Sequence, residues 1–492
     1  MHISSLPSPY GIGTMGRAAR DFVDFLADGG QSCWQLLPIG HTSYGNSPYQ
    51  AFSSYAGNPY FIDLDELAAQ DLLLSEEYRN LDWGNDPARV DYARQYQNRY
   101  SVLRLACRRL WAREGERVAQ FSRENAQWLP DYALFMALKR SHGGVSWQEW
   151  PEEERLRHPA ALEHARQELA AEIEFWSCVQ YLFFRQWDAL KKYANCRGIT
   201  LIGDLPIYVA GDSADVWAAP EQFQLDEDCR PKAVAGCPPD AFSADGQLWG
   251  NPLFDWERMK GEGYAWWLRR IGFQFRLYDT LRIDHFRGFD AYYAIPAKDT
   301  TARNGQWRQG PGIDFFRAVQ QTLGQKDIIA EDLGYLTDSV RQLLRETGYP
   351  GMKVLEFAFA DRENGSDYLP HCYTPHCVVY TGTHDNDTIQ GWMRSAAPCE
   401  VEYAKDYLRL SEREGYHWGM IRSAWASAAD LAVIQLQDLL GLGSEGRMNH
   451  PATTSGNWEW RTLPGSYGPV LARWLREETR TYQRLNRRWD RE

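Results

Sequence analysis

The chain has no apolar stretch near the ~20 residues that span a bilayer. Its first residues, MHISSLPSPYGIG, show no basic segment followed by an apolar one, so no secretory signal is expected. Positive charge is in deficit, with 53 Lys and Arg against 66 Asp and Glu and a net charge of −13. That balance disfavours nucleic acid and anionic membrane surfaces as partners and suits a neutral substrate. Nine cysteines, an odd number without tight spacing, fit a reducing compartment better than a disulfide framework. Internal repeats and low-complexity tracts are absent. The expectation is a soluble, cytoplasmic protein.

Aromatic residues are abundant: 21 Trp, 27 Tyr and 20 Phe in 492 residues. A large core accounts for most of them. Some aromatic faces can also serve as platforms for sugar rings, and composition does not separate the two uses.

Short apolar runs recur along the chain at helix-length intervals. They are SCWQLLPI (32–39), ITLIGDLPIYV (199–209), YDTLRIDHF (278–286), DIIAEDLG (327–334), MKVLEFAF (352–359), CVVYTG (377–382) and LAVIQLQDLL (431–440). Amphipathic stretches such as RAARDFVDFLADGG and TDSVRQLLRETGY lie between them. Strand–helix alternation implies an α/β fold with parallel sheet, either doubly wound or closed into a (β/α)8 TIM barrel. Seven strands are visible, and MHISS reads as the end of an eighth. The barrel is favoured because polar residues gather at the C-terminal ends of several strands, where a doubly wound sheet would use one switch point. Residues 1–492 then read as one barrel with two insertions. The first, 65–175, is charged and helical; the second, 210–277, is rich in Pro, Gly, Asp and Trp and reads as an irregular lid over a binding cleft.

Four of the apolar runs end in an acid: Asp204, Asp284, Glu331 and Asp385. One strand-end Asp is readily explained as a helix cap. Four on successive strands converge on one rim, where they repel and shift one another's pKa, a cost that structure alone seldom explains. Two chemistries use such a ring. A divalent ion held by strand-end carboxylates is one. The other is glycoside chemistry, with one carboxylate attacking the anomeric carbon and a second protonating the leaving oxygen. Arg282 stands two residues before Asp284, on the same face of the strand, where its charge favours an ionised nucleophile. His285 and His384 flank two of the acids and suit sugar hydroxyls. The neighbours favour the glycoside reading, with the metal-dependent one as the alternative. The cluster HCYTPHC (371–377) lacks the separated pairs that structural zinc prefers, and reads as packing at a strand entry. The residues alone leave a metal ion open as that alternative; no other cofactor is expected.

LRIDHFRGF, IIAEDLG and VVYTGTHDNDT resemble three signature regions of the α-amylase clan. SSLPSPYGIG, SPYQAFSSYAGNPYFIDL, GDLPIYV, PPDAFSADGQLWGNP and RMNHPATTSGNWEWR narrow the resemblance to the 4-α-glucanotransferases, also called amylomaltases or disproportionating enzymes. It covers nearly the whole chain outside 65–175. The resemblance implies a barrel without a C-terminal β-sandwich, maltooligosaccharides and α-1,4-glucans as partners, and transfer of glucan segments without a metal. It makes Asp284 the nucleophile, Glu331 rather than Asp332 the acid/base, and Asp385 the carboxylate that stabilises the distorted sugar. Arg282, His285, His384 and Asp204 match sugar-contacting positions, and Tyr49, Trp249 and Asn449 match positions along the glucan groove. A hydrolase of the same clan is the nearest alternative activity, and oligomeric state is not legible. There are two departures. The family usually carries several more residues before HISSLPSPYGIG, so a short first strand is expected, and Ala452 stands where a Gly is expected.

Overall fold

A computed structural model describes residues 1–43, 45–239, 244–334 and 336–486. Its strands are β1 (Cys33–Gln35), β2 (Thr200–Leu205), β3 (Ala233–Cys237), β4 (Gln247–Pro252), β5 (Thr280–Ile283), β6 (Ala291–Pro296), β7 (Gln306–Gln309), β8 (Ile328–Ala330), β9 (Gly351–Val354), β10 (Cys377–Tyr380) and β11 (Leu431–Val433). Parallel pairing runs in the order β1-β2-β5-β8 and, separately, β9-β10-β11. The Ala330 N–H donates to the Pro350 carbonyl at 2.9 Å and links β8 to the entry of β9. These strands are short apolar runs rich in Ile, Val and Leu, as expected where both faces are covered.

Strand alternation sorts the side chains into two environments. Leu201, Leu205, Leu281, Ile283, Ile328 and Ala330 face outward and join the large core shared with the surrounding helices. Ile202, Ile329, Met352, Val354, Val378 and Tyr380 face inward and form a second cluster, against which Cys33, Leu431 and Val433 pack. The Tyr380 hydroxyl crosses this interior to donate to Gln35 Oε1 at 2.9 Å. Asp204 and Arg282 are on the same parity as Ile202, so they too point inward, directly opposite each other in the β2–β5 register. A cavity of about 440 Å³ lies between β11 and β1, lined by Cys33, Gln35, Leu431 and Val433 with Phe25 and Leu475 outside them.

Several elements differ from the sequence expectation. MHISS holds a 3-10 turn, Ile3–Ser5, where an eighth strand end was expected. The strand Gly351–Val354 takes in only the first three residues of the MKVLEFAF run; Leu355–Phe359 coils into a 3-10 helix. LAVIQLQDLL likewise divides into β11 and the helix Leu436–Leu439. Short apolar runs carry no period that separates strand from buried helix. Segment 65–175 includes the helix Tyr92–Glu124, N-capped by Asp91, whose carboxylate accepts from the Arg94 N–H. The helix Ala170–Cys196 runs straight through the expected boundary at 175. Segment 210–277, read as irregular, contains the β3–β4 hairpin and the helix Ala265–Leu277. That hairpin belongs to an antiparallel sheet of order β4-β3-β6-β7. Among the described residues no helix is long and apolar enough to cross a membrane.

Candidate active site

The parallel ladder delivers the first three acids to adjacent places. Past the end of β5 the Asp284 N–H donates to the Leu205 carbonyl, and past the end of β8 the Glu331 N–H donates to the Ile283 carbonyl, both at 3.0 Å. Each hydrogen bond carries the strand one residue further, so Asp284 and Glu331 stand side by side just above Asp204 and Arg282.

Arg282 is the hub of the arrangement. Its Nη1 donates to both oxygens of Asp204 at 2.7 Å, and its Nη2 lies 3.0 Å from Asp284 Oδ1. Asp204 is only 2% exposed. A buried carboxylate of this kind is tolerable because Arg282 Nη1 and the Tyr49 hydroxyl, 2.7 Å from Oδ2, satisfy it. The positive charge that these acids share is therefore an arginine's.

Burial pushes the Asp284 carboxyl up to about 7. Arg282 opposes that rise, and Asp204 and Glu331 add to it. The sequence reading took Arg282 to dominate; the structure shows that desolvation outweighs it. Glu331 is raised as well, again chiefly by burial. Its two oxygens accept the N–H groups of His285 and Leu333, each at 2.7 Å. The charge of Glu331 faces Asp284, so ionising one acid opposes ionising the other. Asp332 turns the other way and accepts the Met352 N–H at 2.6 Å, which ties β8 to β9.

His285 has a left-handed backbone, with φ of 52°. This sharp turn after β5 aims its N–H at Glu331 and leaves its Nε2 buried without a hydrogen-bond partner. Burial, with Arg287 adding, lowers its pKa to about 3, so the ring is neutral. Trp249 on β4 meets it edge to face, with centroids 4.9 Å apart. Phe242, which belongs to the same expected lid, lies outside the described residues.

The loop after β10 supplies the opposite wall. The His384 ring stacks on Tyr49, with centroids 4.8 Å apart, and its Nδ1 is 3.3 Å from the Tyr49 hydroxyl. Tyr49 is thus bound to Asp204 and His384 rather than standing free as a platform. Asp385 is half exposed; its Oδ1 accepts from Asn449 Nδ2 at 2.6 Å and lies 3.5 Å from His384 Nε2. The structure therefore brings together Asp204, Arg282, Asp284, His285, Glu331, Trp249, Tyr49, His384, Asp385 and Asn449 through direct contacts.

Sequence reasoning passed over two neighbours. Arg447 donates to the Asp385 carbonyl at 2.7 Å, and the Trp458 ring packs against both Tyr49 and His384. Both stand in the RMNHPATTSGNWEWR block, whose repeated polar and aromatic residues were the available signal. In that block Ala452 has φ of 62°, the left-handed conformation that explains the expectation of Gly there. Thr388 caps the helix Ile389–Ser395, and Asp387 beside it accepts from the Thr388 N–H and the Ser444 hydroxyl. The HCYTPHC residues separate, with His371 bonded to the Tyr407 hydroxyl and His376 to the Gly348 carbonyl.

Comparison with known proteins gives the family. The family profile described as 4-alpha-glucanotransferase matches residues 1–465. The chain is 48% identical to a 4-alpha-glucanotransferase of Thermus thermophilus, covering 99% of this chain and 98% of the relative. It is 46% identical to one of Clostridium butyricum, covering 98% and 100%. An amylomaltase of Streptococcus agalactiae, solved in complex with acarbose, superposes with a TM-score of 0.96 at 42% identity, with 98% of each chain covered. The chain belongs to the 4-alpha-glucanotransferase family and is a glycosyltransferase of that kind.

Proposed function

We propose that the cleft moves α-1,4-glucan segments between maltooligosaccharides by double displacement, with Asp284 as nucleophile and Glu331 as acid/base. The observation that carries this is the pairing of two buried carboxyls on adjacent strand ends, with the Arg282 guanidinium in direct contact with Asp284. Burial makes it costly for both acids to be ionised, so the pair holds a proton between them. The 3.0 Å contact with Arg282 favours the ionised form of Asp284 against the burial that raises it. Glu331 then holds the proton for the leaving glycosidic oxygen. Asp284 attacks the anomeric carbon as that bond breaks, forming a glycosyl ester and releasing the shortened chain. Glu331, now ionised, takes the proton from an incoming sugar hydroxyl, which reopens the ester with net retention.

The other wall has supporting parts. Asp385, with free surface on one side and Asn449 on the other, is positioned to bind ring hydroxyls of the distorted sugar. His285 Nε2 is a buried, neutral, unoccupied hydrogen-bonding group beside the reacting pair. Asp204 and Tyr49 hold Arg282 and His384 in register. The β3–β4 hairpin is assigned as the cover of the cleft, on the strength of Trp249 meeting His285. A closed (β/α)8 barrel without a C-terminal β-sandwich is likewise our reading, supported by one interior cluster shared among the parallel strands.

Incubation with maltotriose tests the reaction. Transfer yields free glucose and a ladder of longer and shorter maltooligosaccharides. Glucose and maltose alone would show a hydrolase and overturn the proposal.

A further inference from the structure

The span that carries His384 and Asp385 is held from below by two buried carboxyls with no part in the mechanism above. Asp438, on the helix Leu436–Leu439 and 1% exposed, accepts the Thr381 hydroxyl at Oδ2 and the Ile389 N–H at Oδ1, both at 2.8 Å. One carboxylate thus ties the residue where the chain leaves β10 to the first residue of the helix that follows. Glu356, 4% exposed, comes just after β9, where its N–H donates to the Thr381 carbonyl at 3.4 Å. Its side chain lies under the middle of the span, beside Gly382 and within hydrogen-bonding reach of the Asn386 side chain. Asn386 accepts from the N–H and the hydroxyl of Thr383 at 3.0 and 2.9 Å, and the Thr383 hydroxyl accepts from the Asp385 N–H at 3.4 Å. A polar chain therefore runs from Glu356 to Asp385. Oε1 of Glu356 is buried with no hydrogen-bond partner.

A cavity of about 90 Å³ borders this span, lined by Gly382, Thr383 and His384 with Gln435, Gln437, Met352, Val433 and others. The His384 ring packs on Tyr49 and Trp458, and Ile389 is buried, while the stretch between them is held by the polar braces above.

We propose that Glu356 is a positioning residue for glucan transfer: while neutral it supports the 381–389 span that presents His384 and Asp385, and its ionisation releases that span. The inference rests on the reading of Asp385 as a working member of the cleft. The charges that face Glu356 are Asp438 behind β11, Asp387 on the span itself, and Arg447. Two of the three are acidic, so an ionised Glu356 meets repulsion and desolvation together. Burial, followed by Asp438, holds its pKa well above the ordinary carboxyl value. Burial also pushes Asp438 up to about 6. The folded chain therefore keeps a proton on Glu356 that the unfolded chain loses. The support is present at low and neutral pH and is lost as pH rises through the raised value.

The test uses α-glucosyl fluoride as donor with a maltooligosaccharide acceptor. Fluoride departs with little protonation, so an alkaline fall in rate no longer reports the proton on Glu331. The wild type should lose kcat at alkaline pH with KM changing less than twofold. Glu356→Ala, checked by circular dichroism to be folded, should lose kcat about tenfold at neutral pH. Glu356→Gln, neutral at every pH and of the same shape, should restore that kcat and move the alkaline fall up by at least one pH unit. An alkaline fall in Glu356→Gln identical to the wild type, or an unimpaired Glu356→Ala, would overturn the inference. Asp385→Asn is run beside them. If that variant keeps full activity, the reading of Asp385 has failed; if it is inactive while the alkaline fall of Glu356→Gln stays where the wild type's is, only this inference has.

Discussion

Arg282→Met isolates what a single buried charge does for the site. The guanidinium bridges Asp204 and Asp284, and it is the largest influence opposing the burial that raises Asp284 to about 7. At that value about half of the sites carry the nucleophile ionised at pH 7. Loss of a facing charge raises a carboxyl by about 1–3 units. One unit leaves about a tenth of Asp284 ionised at pH 7, and two units about a hundredth, so transfer falls about fivefold to fiftyfold from ionisation alone. That part of the loss is recoverable. An acid whose folded pKa is raised regains its charge as pH rises, so the acid limb of kcat/KM should shift up by the same one to two units. Stability should fall too, because Asp204 keeps only its Tyr49 partner; breaking a buried pair costs about 3–5 kcal/mol. Arg282→Lys keeps the charge but not the fork, so its limb should move less. The assay is a pH series of glucose release and elongation from maltotriose. A rate deficit in Arg282→Met with the acid limb unmoved would refute the electrostatic argument and leave Arg282 a purely geometric role.

Two further outcomes are expected. Ala452→Gly should stabilise the chain by about 1 kcal/mol, since a left-handed Ala costs about 1–2 kcal/mol and Gly returns part of that as entropy; calorimetry showing no gain would mean that the loop relaxes without strain. Trp249→Ala should raise free glucose relative to elongated products from maltotriose, because the ring beside His285 helps to hold an acceptor and exclude water; an unchanged ratio would place acceptor selection elsewhere.

The acids were legible in the sequence because each ends a short apolar run, where charge is expensive and demands a reason. The resemblance, rather than the residues alone, selected Glu331 over Asp332, and the structure turns those two side chains to different partners. What stayed hidden has physical causes. β7, QWRQ, is exposed along its whole length and shows no alternation. Trp249 therefore sits on an ordered hairpin that composition presented as a loop. Glu356 was read as one polar residue inside a strand, since LEFAF looks the same whether it extends or coils. Asp438 lay inside a run taken for the last strand, so its grip on Thr381 and Ile389 had no sequence signal at all. The strength of Arg282 was also overestimated, because burial of Asp284 depends on the tertiary surroundings rather than on the residue two places before it.

The central claim is that glucan passes through an ester on Asp284. Glu331→Gln should accept α-glucosyl fluoride, which leaves with little protonation, and then stall, because the Gln cannot take a proton from the acceptor. Peptide mass spectrometry of the quenched protein should find one added hexosyl group, on the peptide containing Asp284. Its absence in the wild type and in Glu331→Gln alike, or its appearance on Asp385 or Asp204, would contradict the account.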